Sequence, residues 1–296
     1  MNNEAFIDAP LPPAMAIRAE ELGVKKVNLP ISKLFALAVL AGAFVAVGAL
    51  FATLVTSGGF VTRAADGSIL TTVAMPYGIA RLLAGLVFSL GLILVVVGGA
   101  ELFTGNILIV MAFANGRVTL GQLLTNWTLV YLGNFVGAIA TAILLFFTGQ
   151  YAFGGGAVGM NILATGEAKT ALGFGQAVVL GMMGNSLVCL AVWMVYSARS
   201  TTDKIMAIVP PVAAFVAAGF EHSIANMYFI PLALLVKQWG SPAFFEQIGK
   251  TPLDFPHLTW TNFLVINLLP VTIGNIIGGA VMVGLVYWFV YLRKSN

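Results

Sequence analysis

Long uncharged runs recur along the chain at a length that suits only one solvent. Leu34 to Val55, Leu82 to Ala100, Trp127 to Thr148, Ala171 to Ser197 and Thr261 to Leu292 each come near or exceed the roughly 20 residues that an α-helix needs to cross hydrocarbon. With 59% hydrophobic and 8% charged residues among 296, the chain has too few polar side chains to cover a soluble globule of its size. A mean hydropathy of +0.98 agrees. A membrane β-barrel would alternate apolar and polar residues over segments of about ten, and no such segment occurs. These runs predict an all-α membrane protein with the lipid bilayer as its surroundings.

Basic residues set the orientation. Arg18, Lys25, Lys26, Lys33, Arg117, Arg199, Lys204, Arg293 and Lys294 fall on one side, and Arg63, Lys169, Lys237 and Lys250 on the other, with Arg81 at a helix end. The excess places the first side, and both termini, in the cytoplasm, which requires an even number of spans; six transmembrane helices fit. Residues 1–30 then form a cytoplasmic N-terminal segment, and residues 31–296 a single six-span channel domain. Within the segment, Pro12 to Val24 reads as an amphipathic helix with Met15, Ile17 and Leu22 apolar and Arg18, Glu20 and Glu21 polar. Such a helix anchors at the interface or covers a pore. The acidic, polar stretch from Met1 to Leu22 does not resemble a cleaved signal peptide. The net charge of +3 comes from residues at helix ends rather than from one stripe, so nucleic acid is not an expected partner. The single Cys189, inside an apolar run, supplies no disulfide, zinc or iron–sulfur set. No cofactor or metal is expected.

Two stretches are not simple spans. From Met75 to Ala114 no polar turn cluster intervenes, yet one helix of that length would extend about 60 Å at ~1.5 Å per residue. The interruption is expected at Glu101-Leu102-Phe103-Thr104-Gly105-Asn106. Ile205 to Val236 contains Pro210, Pro211 and Pro231 and carries Glu221 and His222 near its middle, so it too should break. The two stretches correspond. Glu101 precedes Asn106 by five residues as Glu221 precedes Asn226, and Gly133-Asn134-Phe135-Val136-Gly137 recurs as Gly274-Asn275-Ile276-Ile277-Gly278. Inverted repeats over roughly 31–150 and 170–292, with spans two and five broken and meeting at mid-membrane, follow from this pattern.

Ionisable residues inside spans are costly and need a reason. His222 can be a neutral imidazole bonded between helices, or a pore-lining group whose protonation responds near neutral pH. Asn226, one turn on along the same face, favours the second. Glu101 and Glu221 are expected to brace the broken helix ends by accepting hydrogen bonds from freed backbone N–H groups, since a carboxylate facing the path would repel an anion. Phe88 with Leu92, and Phe215 with His222, share helix faces, and on spacing alone read as packing. The Gly-x-x-x-Gly elements read as close helix contacts. Gly154-Gly155-Gly156-Ala157-Val158-Gly159 matches a dinucleotide-binding pattern but follows a span rather than a strand, and reads as a loop.

Several motifs together resemble the signatures of the formate/nitrite transporter family. They are Phe220-Glu221-His222-Ser223-Ile224-Ala225-Asn226-Met227, Glu101-Leu102-Phe103-Thr104, Asn126-Trp127 with Tyr131-x-Gly133-Asn134, and Pro270-Val271-Thr272-Ile273-Gly274-Asn275. The resemblance runs from Pro12 to Arg293. Phe88-Ser89-Leu90-Gly91-Leu92 and Val188-Cys189-Leu190-Ala191-Val192-Trp193 are similar to the family's bacterial formate channels. The resemblance implies an aquaporin-like protomer with its own pore, a homopentamer, and a bacterial cytoplasmic (inner) membrane. It also implies that Leu92 with Phe88 forms a cytoplasmic constriction and Phe215 with Val188 and Leu190 a periplasmic one. Thr104, His222 and Asn226 would surround a central site, and the loop from Val97 to Thr104, with Leu102 and Phe103, would be mobile. The segment between Ser57 and Pro76 is longer than the family pattern.

A small carboxylate loses much hydration free energy in crossing two greasy constrictions while charged. With the formate that the resemblance implies as substrate, stabilisation or protonation by His222, with Thr104 and Asn226 as hydrogen-bond partners, would relieve that loss, so conduction of formate and related small monovalent anions, either passive or coupled to a proton, is the expected function. Nitrite or hydrosulfide conduction and an aquaporin-like pore for neutral solutes are the alternatives. An enzyme is not expected: no nucleophile–base pair is evident, and the second histidine, His257, belongs to a polar outer loop.

Overall fold

The computed structural model of the protein describes residues 9–63, 65–66 and 69–293. Residues 1–8 and 294–296, with Lys294 among them, lie outside it. Among the described residues, five helices are long and apolar enough to cross a membrane: α2 (Ile31–Val55), α3 (Tyr77–Gly98), α5 (Leu120–Phe147), α7 (Phe174–Val195) and α11 (Asn262–Tyr291). Between them lie α1 (Pro12–Val27), α4 (Phe103–Ala114), α6 (Ala157–Thr170), α8 (Thr201–Ala217), α9 (Ser223–Trp239) and α10 (Pro242–Ile248).

The chain is nearly, not wholly, helical, which corrects the all-α expectation in one place. Strands β1 (Gly59–Arg63) and β2 (Ile69–Ala74) pair as an antiparallel hairpin, Gly59 opposite Ala74, with an irregularity between Thr62 and Arg63. The β-branched Val61, Thr62, Ile69, Thr71, Thr72 and Val73 favour extended backbone there.

Helix ends follow from local chemistry. Thr119 and Gln122 form a capping box at the start of α5, and Ser200 and Asp203 one at the start of α8. The glycine run before α6 is a loop preceded by helix rather than strand: Gly154, Gly155 and Gly156 hold φ of 62°, 66° and 84°, which residues with a Cβ rarely adopt.

α2 packs on α5 and α3, α3 on α8, α8 on α7, and α7 on α11, while α9 packs on α5 and α6. Backbones touch where the small residues recur: a Cβ at Gly137 would overlap the Val39 carbonyl oxygen, and one at Gly278 the carbonyl oxygen of Met182. Association in lipid depends on such close approach because lipid tails leave little hydrophobic driving force between helices. Gly137→Ala and Gly278→Ala should each destabilise the protein by about 1–3 kcal/mol through overpacking. Thermal unfolding in detergent would test this, and an unchanged midpoint in both would show that the helices can separate without cost. In α11, π-helical turns over Asn262–Leu268 and Gly278–Leu285 flank the α-helical Leu269–Ile277.

Large apolar side chains such as Leu132, Leu144, Phe147 and Phe289 are exposed on the outside of the bundle, where lipid would meet them. α1 runs to Val27 and buries Met15, Ala16, Ala19, Glu20 and Gly23. Glu20, expected on the polar face, is buried because it accepts a hydrogen bond from Asn115 Nδ2 at 2.7 Å and pairs with Arg117 at 3.6 Å.

Candidate functional site

The chain between α3 and α4 is pinned by one set of groups, and the chain between α8 and α9 by its counterpart. Gly99, with φ of 77°, ends α3 in the left-handed conformation, and the Glu101 N–H then donates to Leu37 O at 3.2 Å. Asn134 Nδ2 donates to Ala38 O (2.7 Å) and Glu101 O (2.9 Å), while its Oδ1 accepts the Phe103 N–H (2.9 Å). In the second frame the Glu221 N–H donates to Leu180 O at 3.2 Å. Asn275 Nδ2 donates to Gly181 O (2.8 Å) and Glu221 O (3.1 Å), and its Oδ1 accepts the Ser223 N–H (2.9 Å). A carboxamide suits the task because it offers two donors and an acceptor to two carbonyls and one N–H.

The two glutamates are therefore not the groups that take freed backbone N–H donors, which corrects that expectation. Their buried carboxylates face ammonium and carboxamide groups instead, as a charge removed from water requires. Glu101 accepts from Lys26 Nζ at 2.8 and 2.9 Å and from Asn106 Nδ2 at 2.7 Å. Glu221 accepts from Lys169 Nζ at 2.6 Å and from Asn226 Nδ2 at 2.6 Å. Each cluster closes through one more asparagine: Asn106 Nδ2 reaches Asn126 Oδ1 (2.9 Å), and Asn226 Nδ2 reaches Asn267 Oδ1 (2.7 Å). Asn126 and Asn267 then donate to the backbone oxygens of Lys26 and Lys169. Reading the sequence missed Lys26, Lys169 and Asn267 as partners. A signal was present, since each Gly-Asn motif carries an asparagine eight residues before its own, at Asn126 and at Asn267.

Between the frames, Thr104 Oγ1 and His222 Nε2 stand 2.8 Å apart, both buried. His222 caps α9, its Nδ1 accepting the Ala225 N–H at 3.1 Å. A neutral ring that accepts at Nδ1 carries its hydrogen on Nε2 and donates it to Thr104.

Three cavities lie near this pair, two of them lined by His222 and none by Thr104. One of about 100 Å³ is lined by Arg81, Lys169, Phe88, Phe215, His222 and Asn226, among others. A second, of about 310 Å³, is lined by Arg18, Lys26, Lys204, Leu92, Glu101 and Leu102 among others. Between them a gap of about 10 Å³, near the smallest volume that holds one water, is walled by Val45, Phe88, Leu92, Leu102, Val188, Val212, Phe215 and His222. Arg81 donates through its guanidinium to the carbonyls of Val216 and Ala217, the last turn of α8.

Most of the expected residues gather here, though not in the expected grouping. Phe88 stands with Phe215, ring centroids 5.6 Å apart in an edge-on contact, because α3 packs directly on α8. It lines the Lys169 cavity and, with Leu92, walls the gap, while Leu92 and Leu102 also line the Lys26 cavity. Val188 faces the gap. Leu190 lies about 200° further round the helix and packs instead against the cluster of Met15, Trp193 and Tyr196. Phe103 also points away, edge-on to Tyr131 at 4.9 Å. Asn226 lines the Lys169 cavity, but its amide serves Glu221 and Asn267 rather than His222. The ensemble is two basic cavities separated by an apolar layer that holds one imidazole–hydroxyl pair.

The chain matches the family described as Formate/nitrite transporter over residues 13–289. It is 48% identical over 289 residues to the formate channel FocA of Escherichia coli K12, covering 98% of this chain and 97% of that protein. To the formate channel FocB of the same strain it is 36% identical, covering all of both chains. Its fold is similar to that of a solved pentameric formate channel with formate bound, at a TM-score of 0.80 and 46% identity, covering 89% of this chain and 98% of that one. An FNT family ion channel is similar at a TM-score of 0.73 and 26% identity, with 93% and 98% covered. This chain belongs to the formate/nitrite transporter family.

Proposed function

We propose that the protein is a formate channel of a bacterial inner membrane that also admits related small monovalent anions, with passage coupled to a proton at His222. The carrying observation is the Thr104–His222 bond, buried in the thin apolar layer between two cavities that each contain a lysine. The names and structures of the relatives support formate as the substrate and a homopentamer as the assembly.

In this reading there are six spans in an aquaporin-like inverted repeat, the second being α3 broken before α4 and the fifth α8 broken before α9. Both termini lie in the cytoplasm, so the Lys26 cavity opens inward beneath α1, which serves as its flap, and the Lys169 cavity opens outward. Leu92 with Leu102 narrows the inner side, Phe88 with Phe215 and Val188 the outer, and the segment from Val97 to Thr104 moves to admit substrate. Asn226 contributes through the Lys169–Glu221 cluster at the outer edge of the central site.

Arg81 in one cavity and Arg18 and Lys204 in the other add positive charge beyond the lysine–glutamate pairs and raise the local concentration of the anion. Formate sheds water at the gap, where the Nε2–H of His222 and the Thr104 hydroxyl replace hydration. The ring is charged when Nδ1 releases the Ala225 N–H and takes a proton; the imidazolium then gives its Nε2 proton to the carboxylate, and the resulting neutral formic acid crosses the phenylalanine layer at far lower cost than the ion. The neutral ring is recharged from either cavity.

Labelled formate offered to proteoliposomes with and without a pH gradient tests the proposal. Uptake should accelerate and accumulate when the interior is alkaline. Uptake indifferent to the gradient would defeat proton coupling, stronger competition by nitrite or hydrosulfide would reassign the substrate, and swelling in glycerol would point to a neutral-solute pore.

A further inference from the structure

Four departures from the internal repeat converge on one place. In register with Lys26, Leu37 and Ala38 of the first half stand Lys169, Leu180 and Gly181 of the second, each pair with the same role in its frame. Continuing that register sets Gly42 against Asn185 and Ala46 against Cys189, while Leu102 corresponds to His222 and Thr104 to Ile224. Where a Cβ on Gly42 would press on the Asn134 carbonyl oxygen, Asn185 instead donates to the corresponding oxygen of Asn275, at 2.7 Å. The two halves keep the same frame and differ, among other positions, at these four, whose backbone or side-chain groups meet at Thr104 and His222.

Asn185 carries one of its two bonds across to the first half. Its Nδ2 also reaches the Thr104 carbonyl at 3.3 Å, and Cys189 Sγ donates to the same oxygen at 3.3 Å. Through Asn275, whose carboxamide holds Glu221 O and the Ser223 N–H, the same side chain is tied to both neighbours of His222. One carboxamide thus links the backbone of Thr104 to the backbone on either side of His222. Room for it comes from Gly279, where a Cβ would stand 2.5 Å from Asn185 Nδ2 and 2.8 Å from Cys189 Sγ. Gly279 lies in the second π-helical stretch of α11, a backbone form that often marks functional sites. Asn185 Oδ1 is buried with no partner among the described residues.

We propose that Asn185, assisted by Cys189, is a positioning residue that fixes the distance between Thr104 and His222 without lining the path. The inference rests on the reading of that pair as the conducting site.

The chain contains two histidines, so protein labelled with 15N-histidine and placed in lipid vesicles gives signals from two rings, with His257→Gln identifying the other. In Asn185→Leu the Nε2 resonance of His222 should move toward its position in Thr104→Val, and the pH profile of formate uptake should shift with it. Cys189→Ala should move the resonance in the same direction by less, and it decides the matter should Asn185→Leu not fold. A wild-type resonance in folded Asn185→Leu, or in Cys189→Ala where only that variant folds, overturns the proposal. The resonance decides the placement whether or not uptake follows pH, and wild-type uptake that ignores pH counts against the conducting role alone.

Discussion

Formate uptake driven by a pH gradient is expected to vanish in His222→Phe protein, a loss on the order of the ~10²–10⁴-fold that a positioned proton donor supplies. The substitution removes the Nε2–H that meets Thr104 Oγ1 at 2.8 Å and fills the gap with a ring that cannot exchange a proton. It also deletes the cap on the Ala225 N–H, at about 0.5–2 kcal/mol, so a loss of folding must be separated from a loss of transport. His222→Asn does this. Asparagine retains an N-cap acceptor but has no titration near neutral pH, so the protein should fold, pass formate slowly and lose its response to the gradient. A wild-type pH profile in His222→Asn would mean that the proton travels elsewhere.

The second large effect concerns stability. Lys169→Met should destabilise the protein by about 3–5 kcal/mol, because it strands a buried carboxylate without its counter-charge. Lys169 Nζ lies 2.6 Å from Glu221 Oε1, and the two side chains are 17% and 6% exposed. The residual exposure of Lys169 lets water recover part of the loss, placing the effect toward the lower end of that range. Adding Glu221→Gln should restore most of the stability, since glutamine can keep polar contacts with Asn226 and Asn267 without carrying charge. Unfolding of the single and double variants in detergent would measure both numbers. Failure of the double variant to recover would show that the ion pair itself, and not the stranded charge, holds the frame.

Much of this arrangement was legible in the residues. The breaks near Glu101 and Glu221 could be read because the apolar stretches around them were too long or too proline-rich for one helix and shared the Glu…Asn spacing. Lys26 and Lys169 were not, because counting charges by loop treats every lysine as a marker of the water phase, whereas both bend onto buried carboxylates. The i, i+4 spacing placed Phe88 and Leu92 on one face of α3 but could not say that α8 brings Phe215 edge-on to the first and into the gap that both wall. For Leu190 helical geometry alone would have sufficed, since it lies on the opposite side of α7 from Val188. The hairpin was also written in the sequence, as Asp66-Gly67 between β-branched runs, a turn signal that a search for spans passes over.

Because Nδ1 of His222 faces the Ala225 N–H rather than the gap, the ring presents a single nitrogen to whatever passes. Cargo and proton must share that atom in turn, so the passage works as a turnstile rather than an open pipe. Flux should therefore level off as formate rises, with the ceiling set by how fast one imidazole is refilled.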